Sequence, residues 1–355
     1  MENMEINYNF WRGRSVFLTG HTGFKGGWLA LWLTEMGAKV YGYSLDATTS
    51  PNFFKIVNLK DKIENSTVGD IRNLSDLVKS IKEAKPSIIF HMAAQSLVRK
   101  SYDDPIDTYT TNVIGTVNVL EAVRKVDTVQ AIVNITTDKC YENQEWSWPY
   151  RESDRLGGYD PYSSSKACSE LATAAYRNSF LKRTEIKVAT ARAGNVIGGG
   201  DWAADRLLPD FFRSINNNEV LNVRSPHAVR PWQHVLDPLS GYLKLAEKLI
   251  TNGNNFAESW NFGPDESGAK TVMWILNRIS KKFANAKWII EKQEEKHEAT
   301  LLKLDISKAK SKLGWTPKWN VENAIDNTVE WHIAFQENEK ISDFSIKQIK
   351  LYQNL

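Results

Sequence analysis

The chain has 355 residues, 42% of them apolar and 25% charged, with a formal net charge of +3. That length buries a sizeable core and suits two coupled lobes, while so small a net charge excludes partners held by bulk electrostatics, such as nucleic acid or an anionic membrane. The amino end lacks the basic start and apolar centre of a signal peptide, and no apolar run is long enough to cross a bilayer, so a cytoplasmic location is expected.

In chain order, "SVFLTG" (15–20), "KVYGYSL" (39–45), "STVGDI" (66–71), "SIIFHMAA" (87–94) and "AIVNITT" (131–137) read as short apolar strands. Between them "WLALWLTEMG" (28–37), "LSDLVKSIKEA" (74–84) and "IGTVNVLEAVRKV" (114–126) have helix length and helical spacing. Strands apolar on both faces, joined by helix-length crossovers, predict an α/β fold: a Rossmann-type doubly wound parallel sheet. After a further strand, "IKVATARAG" (186–194), the alternation gives way to the loop "NVIGGGDWAADR", and a smaller mixed α/β substrate-binding lobe is expected to begin. "VLDPLSGYLKLAEKLIT" (235–251) reads as a helix returning to the first lobe, and "TVMWILNRISKKF" and "DISKAKSKLGW" as helices of the second. The expected division is 1–194 with 232–260 for a dinucleotide, 195–231 with 261–335 for a substrate, and 336–355 as a tail. The tail region, polar with a single stripe of Val329, His332 and Ile333, reads as a surface helix with a frayed end. Cys140 and Cys168 form no Cys-x-x-Cys pair and the six histidines show no helical metal spacing, which argues against a disulfide frame or a metal centre.

The first strand-helix junction places Gly20, Gly23 and Gly26 in "TGHTGFKGG", together with Thr22 and Phe24. Glycines there let the backbone turn tightly and approach a pyrophosphate at a helix N-terminus. Asp46, 20 residues beyond Gly26 near the end of the second strand, suits the ribose hydroxyls of NAD, whereas Lys25 in the loop offers a 2′-phosphate a partner and keeps NADP open. Asp70 and Ile71 after the third strand, and Ala93, Ala94 and Gln95 after the fourth, are expected along the same groove.

"YDPYSSSKACSE" sets Tyr162 and Lys166 one helical turn apart, so that the lysine charge lowers the tyrosine pKa and makes Tyr162 a base. Thr137, at the tip of the fifth strand, supplies a hydroxyl for the same substrate oxygen. The glycine loop, "HMAAQ", Thr137 and the Tyr162/Lys166 pair resemble the extended short-chain dehydrogenase/reductase superfamily, nucleotide-sugar branch. "TTDKCYEN", "RAGNVIGGGDWAADRLLPD", "RPWQHVLDPLSGYL", "WNFGP" and "HEATLLKLDISKAKSKLGW" resemble, within it, the CDP-glucose group of the 4,6-dehydratases.

The resemblance implies CDP-glucose as substrate, NAD that is reduced and reoxidised within each turnover, a homo-oligomer (dimer or tetramer), and a product for deoxysugar and surface polysaccharide synthesis. A 4-epimerase manages with the Tyr/Lys/Thr set, but a dehydratase needs two more proton-handling groups, one for the departing C6 hydroxyl and one for C5. The resemblance implies Asp138 as the acid and Lys139 as the C5 base. Related dTDP-glucose enzymes carry glutamate after the aspartate, and if Lys139 stays charged it stabilises the enolate while Glu142 or Tyr141 takes the base role. Arg206, Arg224 and Arg230 offer forks for a diphosphate, Trp202 a stacking face, and Gly199 with Gly200 backbone amides. Asn195 is implied by the resemblance, with Leu207 beside Arg206 and Arg99 after "HMAAQSLV" completing the set. Rival readings are dehydration of another nucleotide-hexose, a 4-epimerase or reductase, and a noncatalytic NAD-sensing protein.

Overall fold

In the computed structural model, which describes residues 6–265, 268–283, 285–290 and 301–355, β1 (Ser15–Thr19) lies in the interior of a parallel sheet. On one side of it run β2 (Lys39–Ser44) and β3 (Asn65–Val68). On the other run β4 (Ile88–His91), β5 (Ala131–Ile135), β6 (Lys187–Ala193) and, at the edge, a late strand at Ser259–Phe262. Every pairing in this seven-stranded sheet is parallel. The strands are apolar on both sides because helices cover both faces; all five residues of β5 are buried.

The chain moves outward in one direction from β1 to β3, then returns to place β4 on the other side of β1. Loops from the carboxyl ends of β1 and β4 therefore diverge, leaving the crevice in which ligands of such sheets bind. Register brings the ends together: Thr19 lies opposite Tyr43 and His91, His91 opposite Asn134, and Asn134 opposite Thr190. The Gly20 turn, the 92–97 segment and the 136–139 segment consequently emerge side by side.

Outside the sheet, Leu208, Phe211, Phe212, Leu221, Val223, Ile275, Ile279, Val321 and Ile325 form a separate core. Three two-stranded ladders border it, made by β7 (Val196–Ile197) with β10 (Gln233–His234), β8 (Leu221–Val223) with β13 (Trp288–Ile290), and β9 (Val229–Pro231) with β12 (Ala269–Thr271). The sheet-edge strand Ser259–Phe262 is β11 in this order. His297 and the start of the block "HEATLLKLDISKAKSKLGW" lie outside the described residues.

The first crossover helix, Phe24–Glu35, is buried on nearly all sides, with Trp28, Leu29, Leu31 and Trp32 fully enclosed. One side faces the sheet. The other is covered by the carboxyl-terminal helix Ile341–Gln353, and this corrects the expected frayed surface tail. Ile341, Ser345, Ile349 and Tyr352 form its inward stripe, Tyr352 meeting Trp32 edge-on at 5.7 Å and Trp319 at 5.3 Å. Burying a side chain such as Ile349 contributes roughly 1.5–3 kcal/mol, enough to hold a helix whose composition is otherwise polar. Among the described residues, no helix is long and apolar enough to cross a membrane.

Tyr352 also donates to Asp237 Oδ1 (2.8 Å), which accepts the backbone N–H of Lys318 (2.8 Å), while Asp237 Oδ2 has no partner. Burial pushes the Asp237 carboxyl up to about 7, against the opposing pull of these hydrogen bonds. Its ordinary value is 3.8, so between 3.8 and about 7 the native state holds a proton that the unfolded chain has lost, and stability falls as pH rises through that window. Asp237→Asn keeps an acceptor oxygen without the charge. Its melting temperature relative to the parent is expected to rise from about pH 5 to about pH 8; a pH-independent difference in thermal melts would refute this assignment.

Candidate active site

The β1–helix junction is shaped by what it cannot accommodate. Gly20 has φ +80°, and a Cβ there would stand 2.7 Å from the backbone nitrogen of Ala93; one on Gly26 would stand 2.1 Å from the Gly20 carbonyl. Gly23 differs: exposed, with only the Gly20 oxygen at 3.4 Å from an added Cβ, it leaves a cradle open to the cleft. It precedes helix Phe24–Glu35 without any side-chain cap, so the first-turn amides point into that cradle unsatisfied. An uncapped helix N-terminus behind a missing Cβ fits a pyrophosphate.

Thr22 ties this loop to the end of β2, its hydroxyl meeting Ser44 Oγ (2.8 Å) and the Leu45 carbonyl (2.9 Å), beside the exposed Asp46. Asp46, Asp70, Ile71, Ala93 and Ala94 all line one cavity of about 580 Å³ with Gly20, Thr22, Gly23, Phe24 and Gly26. Asp70 is gripped by Arg72 at 2.6 Å, and Arg72 reaches on to Asp107. Gln95 is not brought to the cavity. Its amide braces the loop instead, accepting from Leu97 N (2.7 Å) and donating to the Leu97 carbonyl and to Thr108. Lys25 departs from its expected place too: it lies near Lys166, Arg206 and Asp138, and its Nζ donates to Tyr242 Oη at 3.2 Å.

The polar run after β5 forms a single 3₁₀ turn, Asp138–Cys140, whose cap is Thr137 Oγ1 accepting from Lys139 N at 3.3 Å. Thr137 donates to Asp138 Oδ1 at 3.0 Å, and Asp138 Oδ2 is buried without a partner. Burial raises the Asp138 pKa, while Lys139, the Thr137 hydrogen bond and Arg230 pull it down. Helix Pro161–Tyr176 begins with Asp160 accepting from Ser163 N and with proline in its first turn, which puts Tyr162 and Lys166 one turn apart against this segment. Burial pushes Tyr162 up to about 12, opposed by a hydrogen bond with Thr137 and by Arg206. Lys166 is pushed down to about 8 by burial, with Glu170 acting the other way, and its Nζ donates to the Ile135 carbonyl at 3.3 Å. The expected lowering of the tyrosine pKa is therefore not realised in this arrangement, because desolvation outweighs the neighbouring charge.

Beneath the turn lies an ion pair, Arg192–Glu170 (2.8 Å), with both side chains 2% exposed or less. Glu170 also accepts a short bond from Thr136 and one from Thr190 (2.7 Å), and Arg192 donates to Tyr141 Oη (2.8 Å). Burial disfavours the Glu170 anion, yet Arg192 and the two hydroxyls win and leave its pKa below the usual carboxylate value. Tyr141 continues to Asn261 (2.7 Å) and Glu142 pairs with Arg155 (2.8 Å); neither lines the cavity, whereas Lys139 does.

The far half of the cavity carries arginines steadied by acids. Arg206 binds Asp201 (2.8 Å) and Ser96 (3.2 Å), while Arg224 and Arg99 approach Asp205 at 3.0 and 3.6 Å. Arg230, Asn195 and Leu207 also line it. Trp202 lines it as well, but its ring is packed edge-on against Trp331 and Phe335 at 5.7 and 5.3 Å. Gly199 is turned away: an added Cβ would strike the Trp331 ring at 2.0 Å, and its carbonyl accepts from Trp28 Nε1. Gly200 does reach the cavity, with φ +84°. Sequence reading did not anticipate Asp201 and Asp205 as supports, although both stand within "GGGDWAADR", Asp201 five residues before the arginine it holds.

A glycine cradle at the switch point of a parallel sheet, facing a Tyr-x-x-x-Lys helix and a strand-tip threonine, defines an extended short-chain dehydrogenase/reductase. The family model for GDP-mannose 4,6 dehydratase matches residues 17–328, and the chain belongs to that family. It is 52% identical to the CDP-glucose 4,6-dehydratase of Salmonella typhimurium (strain LT2), covering 98% of this chain and 99% of the relative. It is 26% identical to a dTDP-glucose 4,6-dehydratase of Xanthomonas campestris pv. campestris, over 90% of this chain and 93% of that one. Among solved structures, a UDP-glucose-4-epimerase from Stenotrophomonas maltophila with bound NAD and formylated UDP-arabinopyranose matches with TM-score 0.79 at 19% identity, covering 91% and 99% of the two chains. The dTDP-glucose 4,6-dehydratase of Bacillus anthracis in complex with NAD matches with TM-score 0.75 at 24% identity, covering 93% and 98%. These two share the fold.

Removing one partner of the buried pair, by Glu170→Gln or Arg192→Met, leaves an uncompensated charge and is expected to cost about 3–5 kcal/mol. The double substitution is expected to cost less than the sum. Denaturant titration checks this, and strict additivity would show that the pair does not act as one unit.

Proposed function

We propose that this protein removes water from CDP-glucose to give CDP-4-keto-6-deoxyglucose, moving a hydride from C4 to C6 within one turnover, for deoxysugar and surface polysaccharide synthesis. The observation that carries the reading is Asp138: a buried carboxyl beside Tyr162 and Thr137 with one oxygen free, which an epimerase has no use for. The high identity to a CDP-glucose enzyme along its whole length supports the base and the sugar.

Residues 1–194 and 232–260 hold the dinucleotide in this reading, and 195–231 with 261–335 the nucleotide-sugar. Gly20, Thr22, Gly23, Phe24 and Gly26 serve the pyrophosphate, Asp46 the ribose, Asp70 and Ile71 the adenine, and Ala93, Ala94, Tyr162 and Lys166 the nicotinamide half. NAD is favoured over NADP, since Asp46 would repel a 2′-phosphate and Lys25 is directed elsewhere. When bound, the dinucleotide supplies the acceptor for the C4 hydride and returns it to C6.

Tyr162 Oη takes the proton of the 4-hydroxyl, Thr137 holds the same oxygen, and the positive charges of Lys166 and of the oxidised nicotinamide together offset the burial that raises Tyr162. Asp138, whose burial favours the protonated form, gives its proton to the departing C6 hydroxyl. Lys139 takes the C5 proton and returns one after elimination. Arg99, Arg206, Arg224 and Arg230 meet the diphosphate, with Asn195, Leu207 and Trp202 bordering the sugar and base.

With CDP-glucose deuterated at C4, the label is expected at C6 of the product without net accumulation of reduced cofactor; label that stays at C4 rules dehydration out. Asp138→Asn is expected to leave cofactor reduction intact while slowing loss of water by about 10²–10⁴-fold, whereas Tyr162→Phe slows the reduction itself. Lys139→Met is expected to abolish solvent exchange at C5. Retained exchange would move the base role off Lys139.

The protein assembles as a homo-oligomer in this reading. Ile106, Ile114, Leu171 and Phe180 stand exposed on neighbouring helices at 76, 51, 58 and 47%, an apolar face suited to a second copy. Leu171→Arg is expected to shift the sedimenting species toward monomer, and an unchanged mass would exclude this face.

A further inference from the structure

A second cavity, of about 430 Å³, lies where the two ends of the chain meet and shares no lining residue with the catalytic cleft. Its walls come from Ile6 and Tyr8, helix Leu236–Asn252, the segment 314–318 and the last turn of helix Ile341–Gln353. Ser240, Lys244 and Trp315 are buried and form its floor, whereas Tyr8, Lys350 and Asn354 are exposed and form its rim. The described residues that line it include three lysines, Lys244, Lys318 and Lys350, and no carboxylate.

Two of these lysines have a structural task. Lys318 Nζ donates to the carbonyls of Tyr352 and Gln353 (3.2 and 3.0 Å) at the negative end of the last helix, and Lys244 Nζ donates to the Gly314 carbonyl (3.0 Å). Those bonds account for where the amines sit. They do not account for the space between them or for Gln353. Gln353 Oε1 accepts from Tyr8 Oη, but its Nε2 is buried and has no partner. An open amide donor in a wall whose charges are all positive calls for an acceptor that is itself negative. A phosphate suits donors converging from several sides, because it presents three acceptor oxygens, and it would fill only a small part of the space. We propose that this cavity is a second ligand site, for a small organic phosphate, whose phosphoryl oxygens accept from Gln353 Nε2 and Lys244 Nζ while its organic body lies toward Tyr8. Bound there, it joins the amino-terminal residues to both helices. The site stands apart from the reaction, so it does not depend on the dehydratase reading.

The test uses the intact protein with its catalytic cleft first filled by NAD⁺ and CDP. Calorimetric titration with inorganic phosphate, glucose 6-phosphate or cytidine 5′-monophosphate is then expected to show one further equivalent bound, tighter for an organic phosphate than for the inorganic ion. The tighter of the two organic ligands tells a sugar body from a nucleoside one, and the melting temperature is expected to rise with its concentration. Gln353→Glu keeps the acceptor for Tyr8 and replaces the open donor with a negative charge; it is expected to weaken this binding on the order of tenfold and to remove the melting shift. Lys350→Met, at the exposed rim, is expected to weaken it severalfold and serves should the first variant not fold. No further equivalent would overturn the proposal. So would binding with no preference for an organic body and equal affinity in the variants, the mark of an adventitious ion only. Failure of NAD⁺ and CDP to occupy the cleft would count against the dehydratase reading instead.

Discussion

The Arg192–Glu170 pair is the contact on which the reactive geometry depends. Through the Thr136 hydroxyl it fixes the residue before Thr137, and through Tyr141 it fixes the residue after Cys140, so both ends of the 137–140 turn are tied to one buried charge couple. Glu170 is also one helical turn beyond Lys166 and supports the charge of that amine. A buried ion pair is weak evidence for net stability, since desolvation offsets most of the Coulomb gain. Its value here is geometric, because the segment just after β5, strand β6 and helix Pro161–Tyr176 each contribute a group to it and cannot slide independently.

Burial is the common cause of the electrostatics above that pair. It raises Asp138 and Tyr162 and lowers Lys166 and Lys25, so each group is driven toward its neutral form by the same low-dielectric surroundings. For Asp138 that direction is the useful one, since a carboxyl that holds its proton can pass it to a departing hydroxyl. An exposed Asp-Lys pair at a loop start would have settled as two opposite charges and could exchange no proton with a sugar.

Much of this was legible in residue order. The spacing of "TGHTGFKGG", the doubly apolar strands and the Tyr162/Lys166 interval are local properties, and the sheet, cradle and reactive helix follow from them. The segments 74–84 and 235–251 form helices within a residue of their expected bounds, at Leu74–Ala84 and Leu236–Asn252. What sequence could not supply was direction. Gln95 and Gly199 stand in the right segments and face the wrong way, one bracing its loop and the other pressed on Trp331. Lys25 was read by its proximity to the phosphate loop, while its stem carries the amine to the opposite end. The tail was misjudged because its inward face mixes Ser345 with Ile341, Ile349 and Tyr352, and only the waiting surface of Trp32 and Trp319 makes that face a buried one.

That same helix, Phe24–Glu35, couples the two ends of the cleft. Its N-terminus presents the amides of the cradle, and Trp28 within it donates to the Gly199 carbonyl (2.8 Å) and stacks on Phe53 at 4.8 Å. Phe53 in turn closes on Gly200, where an added Cβ would meet its ring at 2.4 Å. The next residue, Asp201, holds Arg206. The separation between the glycine cradle and Arg206 is therefore set by packed aromatic rings and two glycines, not by a flexible loop. A rigid span of this kind is what internal hydride return demands, since cofactor and sugar must keep one mutual position while the hydride leaves one carbon and arrives at another.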